Sequence, residues 1–398
     1  MVKLIFAGLF LFFSAVSFSE ALNTTQGFGS GADSCSMKYG LVILIQFSDV
    51  VPKAERSFVE EKFNKLNFYV KQMSYQKVCL DVEVSKAWYS LPRPISSYKI
   101  SSRNLEVDTV RVRRLIDDAL MVADKDYDFS KYDFIAVVLN ARIEDYGMIG
   151  LCGYPGMLGW ENRDKLAVKS KEEVKGVAIF CYHAHIGTFF HDVAHVLGGV
   201  ENGKRRVPCL YDHDLQAKPG DLRETFNDSV INMGFWDPMS CHYSEHNVPP
   251  PGISSWTKLK LGWLPEERLK VVDPKETTEI LLGPLEDAGQ GIAAVKIPLS
   301  KDTYYLVENR QPIGLDQYLP GSGVLIMYAD DSIGECRHGQ APVKLINAQS
   351  VIPRLNGAAF DLEKNNLFTD KKNKIKIELL EKLANSYKIR ISPYQSKK

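Results

Sequence analysis

The run Thr188-Phe189-Phe190-His191-Asp192-Val193-Ala194-His195-Val196-Leu197-Gly198 decides how this chain is read. Its apolar residues recur at helical intervals and its two histidines stand four positions apart. A helix therefore carries both imidazoles on one face, where they can grip one cation. Gly198 then gives the chain a place to turn, and Glu201 beyond it is a carboxylate able to complete a three-ligand site. A histidine pair on an apolar helix also occurs as plain structure; the glycine and the carboxylate tip the reading towards a metal. His183 and His185 alternate at the end of a strand and read as surface or supporting residues. His213, His242, His246 and His338 fall in loops and take no specific role.

Outward from this helix, Val177-Ala178-Ile179-Phe180-Cys181-Tyr182 reads as the strand that feeds it. Upstream, the continuous apolar run 40–47 suits a buried strand. Residues 54–75 carry helical spacing (Phe58, Phe63, Leu66, Tyr69, Val70, Met73), 78–84 alternate like a strand, 106–124 are again helical, and 134–139 form another buried strand. Strands alternating with helices predict an α/β sandwich. Residues 147–159 read as glycine-rich loop, and 201–255, poor in periodicity and rich in Pro, Gly, Asp and His, as mostly loop of the kind that carries function. After Gly262-Trp263-Leu264-Pro265 the texture changes to short alternating stretches at 279–282, 292–297, 304–308, 323–328 and 374–378, a mainly β unit with the look of a sandwich. The whole is an α+β chain without internal repeat.

Of the 398 residues, 45% are hydrophobic and 25% charged, with 49 Lys+Arg against 49 Asp+Glu. That composition excludes disorder and collagen-like repeats, and the balanced charge gives no overall field for nucleic acid or an anionic membrane. A positive start at Lys3, the apolar run 4–13 and small residues up to Ala21 read as a secretory signal over 1–21. The run is short for a bilayer span, and no later stretch is long and apolar enough, so no membrane span is expected after signal removal. Secretion, extracellular or periplasmic, permits disulfides among the seven cysteines, whose pairing sequence cannot set; if six pair, one is left over. Asn23 and Asn227 fit the glycosylation pattern. Oligomeric state is not encoded in any of this.

The histidine helix has the layout of the zinc-protease pattern His-Glu-x-x-His and resembles that of the immune-inhibitor-A-like secreted metallopeptidases, a branch of the metzincins. Four further segments resemble that family in the right order. They are Leu210-Tyr211-Asp212, Phe235-Trp236-Asp237-Pro238-Met239-Ser240 with its Met-turn, the stretch 254–264 that closes the catalytic domain, and 304–311 with 319–326 at the start of the following β-rich domain. The resemblance implies a metzincin-like α/β catalytic domain over 22–265, a β-rich C-terminal domain over 266–398, a zinc ion, and hydrolysis of peptide bonds in proteins or peptides by a zinc-activated water. It implies His191 and His195 as ligands, residue 192 as the base, and Met239 as support beneath the metal. Tyr243 is a weaker candidate for an oxyanion hydroxyl.

The sequence departs from that pattern in three places. Position 192 is Asp where the family has Glu, shorter by one methylene, and a displacement of that size can cost about 100-fold in rate. The third ligand has two candidates: helix spacing points to Glu201, whereas the family's Pro-Asp-Leu-Tyr-Asp resembles Pro208-Cys209-Leu210-Tyr211-Asp212 and puts Cys209 at the ligand position. Only a short stretch lies between the signal and the first core strand, where family members usually carry a propeptide. These departures leave two expectations side by side, a zinc metalloendopeptidase and a catalytically impaired homologue that binds zinc and serves as a secreted binding protein. A calcium ion near Asp212, His213 and Asp214 is a further, weaker expectation, since such a polar trio is more often simply solvated.

Overall fold

A computed structural model describes residues 35–160, 172–241 and 248–395. The signal region, Asn23, Tyr243, His242 and His246 lie outside them. The first sheet holds β1 (Ser36–Gln46), β2 (Val78–Val84), the short β3 (Tyr89–Ser90), β4 (Phe134–Leu139), β5 (Gly150–Tyr154) and β6 (Val177–Cys181). Its order is β2-β1-β4-β6-β5 with β3 also beside β1; all pairs are parallel except β5, which closes one edge antiparallel to β6. Side chains alternate across β1. Val42 and Leu44 face helices α1 (Arg56–Met73) and α3 (Ile186–Gly198), whereas Leu41, Ile43 and Ile45 face α2 (Thr109–Ala123). The sheet is thus covered on both faces, as parallel sheets require. A disulfide, Cys35–Cys79, joins the entries of β1 and β2; the other five cysteines of the chain are buried and take no part in it.

Residues 147–159, expected as loop, contain β5. The signal was masked because glycines stand where neighbours crowd the strand: a Cβ on Gly153 would lie 2.6 Å from Ile116 of α2, and one on Gly150 would lie 2.7 Å from Thr188 of α3. Within 201–255 the structure has a small hairpin, β7 (Val200–Glu201) with β8 (Lys204–Arg205), and two short helices, His213–Gln216 and Leu222–Ser229. Each of those helices is capped by an aspartate, Asp212 and Asp221, that accepts two backbone N–H groups.

The short helix α4 (Ser255–Leu261) leads to two further sheets, formed from β9 (Leu269–Val271), β10 (Thr278–Leu282), β11 (Ala294–Pro298), β12 (Thr303–Arg310), β13 (Gly323–Asp330), β14 (Val343–Leu345), β15 (Leu367–Asp370), β16 (Ile375–Leu383) and β17 (Ser386–Pro393). Their orders are β14-β13-β12-β11-β9 and β10-β17-β16-β15. Tyr305, Val307, Val324 and Ile326 of the five-stranded sheet pack against Ile377, Ile389 and Ile391 of the other. The opposite face of the same strands (Tyr304, Leu306, Leu325, Met327) joins the core that surrounds α1 and α3. The β-rich segment is therefore packed directly behind the histidine helix.

Candidate metal centre

Phe189, Phe190 and Val193 of α3 are fully buried or nearly so against α1 and the sheet. Each such side chain stabilises the helix by roughly 1.5–3 kcal/mol. That apolar grip fixes the opposite face, where His191 and His195 emerge. His185 caps the helix start by accepting the Gly187 N–H at 3.0 Å. At the far end Gly199, at φ +66°, releases the chain into the β7–β8 hairpin.

Both imidazoles are oriented by backbone carbonyls. His191 Nδ1 lies 3.0 Å from the Pro238 oxygen and His195 Nδ1 lies 2.6 Å from the Val207 oxygen. A carbonyl only accepts, so each Nδ1 carries the proton and each Nε2 keeps its lone pair. Those two Nε2 atoms face Cys209, whose Sγ stands 3.4 Å from both. With metal–sulfur and metal–nitrogen bonds of about 2.3 and 2.1 Å, a tetrahedral site has an S···N edge of about 3.6 Å. The donor atoms of His191, His195 and Cys209 all lie within 4.8 Å of one another, the one such group of histidine, cysteine or acidic residues found among the described residues. The donor set fits a borderline-soft divalent ion such as zinc.

The two candidates for the third position are placed differently. Glu201 sits on β7 with its side chain 64% exposed, in an ion pair with Arg206 at 3.4 Å, outside the cluster. The hairpin carries the chain out to solvent before it returns at Val207, so the turn that should have brought Glu201 inwards points it away. Cys209 is brought in instead. The cation expected near Asp212 and Asp214 has no free carboxylate to meet there. Asp212 accepts from Asp214, Leu215 and Gly339 N–H groups, and Asp214 is bound by Arg337 at 2.7 Å.

The loop 235–240 braces the centre from below. Met239 is fully buried; its carbonyl takes the Leu210 N–H at 2.8 Å, next to Cys209, while the Pro238 carbonyl holds His191. Asp237 pins this loop by accepting from Met239 N and, through its other oxygen, from Ser254 N, Ser254 Oγ and Thr257 Oγ1. Asp192 lies against Gly150 of β5, within the same cleft lining as the two imidazoles. It is almost fully buried, bonded by the Cys152 backbone, and close enough to Gly150 that a Cβ there would be 2.9 Å from its Oδ2. Burial raises its carboxyl to about 7, only partly opposed by His191. Burial lowers both histidines, which favours their neutral forms. For Cys209 burial pushes the thiol up, but the neighbouring His213 and Arg205 bring it below the ordinary value.

The cluster forms the floor of a cleft of about 490 Å³ whose walls include Asp192, Arg205, Tyr211, His213 and Glu335. Arg205, a residue that sequence reasoning passed over, is 7% exposed and is clasped by Glu335 through contacts of 3.1 and 3.2 Å. Its guanidinium also lies 5.3 Å from the Trp160 ring. A strictly local signal for it does not exist, because its partner is 130 residues away.

Fold and centre together define a mixed α/β chain with a buried His-His-Cys group of metal-binding character at the base of a cleft. No protein-family model matches the chain, and no curated protein is significantly similar to it. Among solved structures it is similar to metalloproteinase-II from Bacteroides fragilis, with 10% sequence identity and a TM-score of 0.31 over 61% of this chain. The chain spans 59% of the length of that protein, and a likeness of this extent carries no argument about activity.

Proposed function

We propose that the chain is a secreted, zinc-dependent metallopeptidase that hydrolyses peptide bonds in proteins or peptides, with His191, His195 and Cys209 as its metal ligands. The observation that carries this reading is the convergence of three donors, two of them oriented imidazoles, in the lining of a cleft of about 490 Å³. Three protein donors leave a fourth position for solvent or substrate, the mark of a catalytic rather than a structural site. Bound there, zinc would supply an electrophile for a carbonyl oxygen and an acidified water.

The chain's own residues divide the remaining work. Of the two carboxylates on the cleft walls, Glu335 is committed to Arg205. Holding and passing on a proton therefore falls to Asp192. His191 and His195 stay neutral and fixed through their Nδ1 bonds, and Tyr211 with Asn104 (2.6 Å between hydroxyl and amide) forms a polar wall for a bound ligand. The disulfide supports passage through an oxidising compartment, and among the described residues no helix is long and apolar enough to cross a membrane.

A second reading, a secreted binding protein that holds zinc without cleaving, draws on one observation: Asp192 is tied to the Cys152 backbone and crowded by Gly150 of β5. Metal content and peptide cleavage of the wild type, Asp192→Ala and Asp192→Glu separate the two. Cleavage by the wild type that vanishes in Asp192→Ala supports the peptidase. Bound zinc with cleavage appearing only in Asp192→Glu overturns it in favour of the binding protein.

A further inference from the structure

The β-rich segment does more than cover the back of the histidine helix. Glu335, in the loop after β13, reaches the cleft and holds Arg205 with three contacts of 3.1–3.2 Å. Arg205 in turn places its Nη2 4.0 Å from Cys209 Sγ, within reach of a hydrogen bond to sulfur. A second line runs from β12. Arg310, fully buried between Asp316 (2.7 Å) and Glu308 (3.0 Å), donates to the Trp236 carbonyl at 3.1 Å, and the Pro238 carbonyl two residues on orients His191. Two of the three donors are thus reached from a segment that contributes no donor of its own.

We infer that Glu335 and Arg205 are positioning residues for Cys209, so that the segment after residue 265 completes the metal centre instead of standing beside it. The inference rests on the proposed metal site and concerns how its sulfur ligand is held. The argument is geometric. Cys209 lies on a stretch without regular structure between β8 and a short helix, where nothing in a helix or sheet ladder fixes its χ1. The planar guanidinium beside it is itself fixed by a carboxylate fork and an aromatic face, a rigid donor that a lysine ammonium cannot reproduce. Partners of this kind, one step out from the ligands, change metal affinity by about 10–100-fold.

The test uses the full chain with Co2+ as probe, read by optical titration for affinity and for the thiolate-to-cobalt absorption in the near ultraviolet. Glu335→Gln and Arg205→Lys are compared with the wild type and with Lys260→Met. The last breaks a different contact of the β-rich segment, Lys260 with Asp331 at 2.8 Å, away from the cleft. The expected result is a loss of cobalt affinity of about tenfold or more in the first two, with a shifted or weakened thiolate band. Lys260→Met keeps wild-type affinity and spectrum whatever it does to the melting temperature. Wild-type affinity and an unchanged band in both Glu335→Gln and Arg205→Lys overturn the inference while leaving the metal site standing. Equal losses in Lys260→Met reduce it to general stability and also overturn it. A wild type without a thiolate band overturns the metal reading and this inference with it.

Discussion

The Cys209 sulfur stands 3.4 Å from His195 Nε2, although the two lie 14 positions apart in the chain with a hairpin between them. That closeness is why Cys209, and not Glu201, is the third ligand of the proposed site. Cys209→Ser is expected to weaken zinc binding by at least about 100-fold, as loss of a direct ligand exceeds the 10–100-fold of an outer partner. Glu201→Gln, which touches only an exposed ion pair with Arg206, is expected to change it less than about twofold. Competition against a chelator measures both; the reverse ranking contradicts the placement of the hairpin.

A Cβ at Gly150 would come within 2.7 Å of Thr188 Cγ2 and 2.9 Å of Asp192 Oδ2, so β5 and α3 meet where only glycine fits. Gly150→Ala is expected to destabilise by about 1–3 kcal/mol in urea unfolding. In a Thr188→Ser background, which removes the crowding methyl, the cost shrinks by a coupling of about 0.5 kcal/mol or more. Simple additivity of the two substitutions would show that the strand relaxes away from the helix.

Much of this architecture could be read in advance because the informative residues are local. The apolar runs that became β1, β4 and β6 and the helical spacing that became α1, α2 and α3 need no distant partner to declare themselves. β5 was hidden by its glycines, and the helix Leu222–Ser229 by a polar stretch whose start is marked by Asp221 alone. At the centre, the histidines followed from helical period. The third donor did not, because the path of a hairpin cannot be read from the spacing between Gly198 and Glu201. Arg205 and Glu335 meet only through the packing of segments far apart in sequence.

Lys62 couples the histidine helix to pH. Its Nζ is lodged near the rings of Phe58 and Phe189 and donates to the Ala184 carbonyl at 2.6 Å, just before α3 begins. Burial lowers its pKa to about 8. Between about 8 and the unfolded value of about 10.4 the unfolded chain therefore binds more protons than the folded one, so this residue's contribution to stability rises with pH across that window. The stability of the wild type relative to Lys62→Met, followed by urea unfolding from pH 7.5 to 10, is expected to rise. A flat difference would mean that the ammonium stays charged between the rings.

The central claim is the donor set itself, and zinc K-edge X-ray absorption on the zinc-loaded full chain tests it most directly. The account predicts one sulfur scatterer at about 2.3 Å with nitrogen neighbours at about 2.0–2.1 Å, and loss of the sulfur shell in Cys209→Ser. A wild-type shell made of nitrogen and oxygen alone would contradict it.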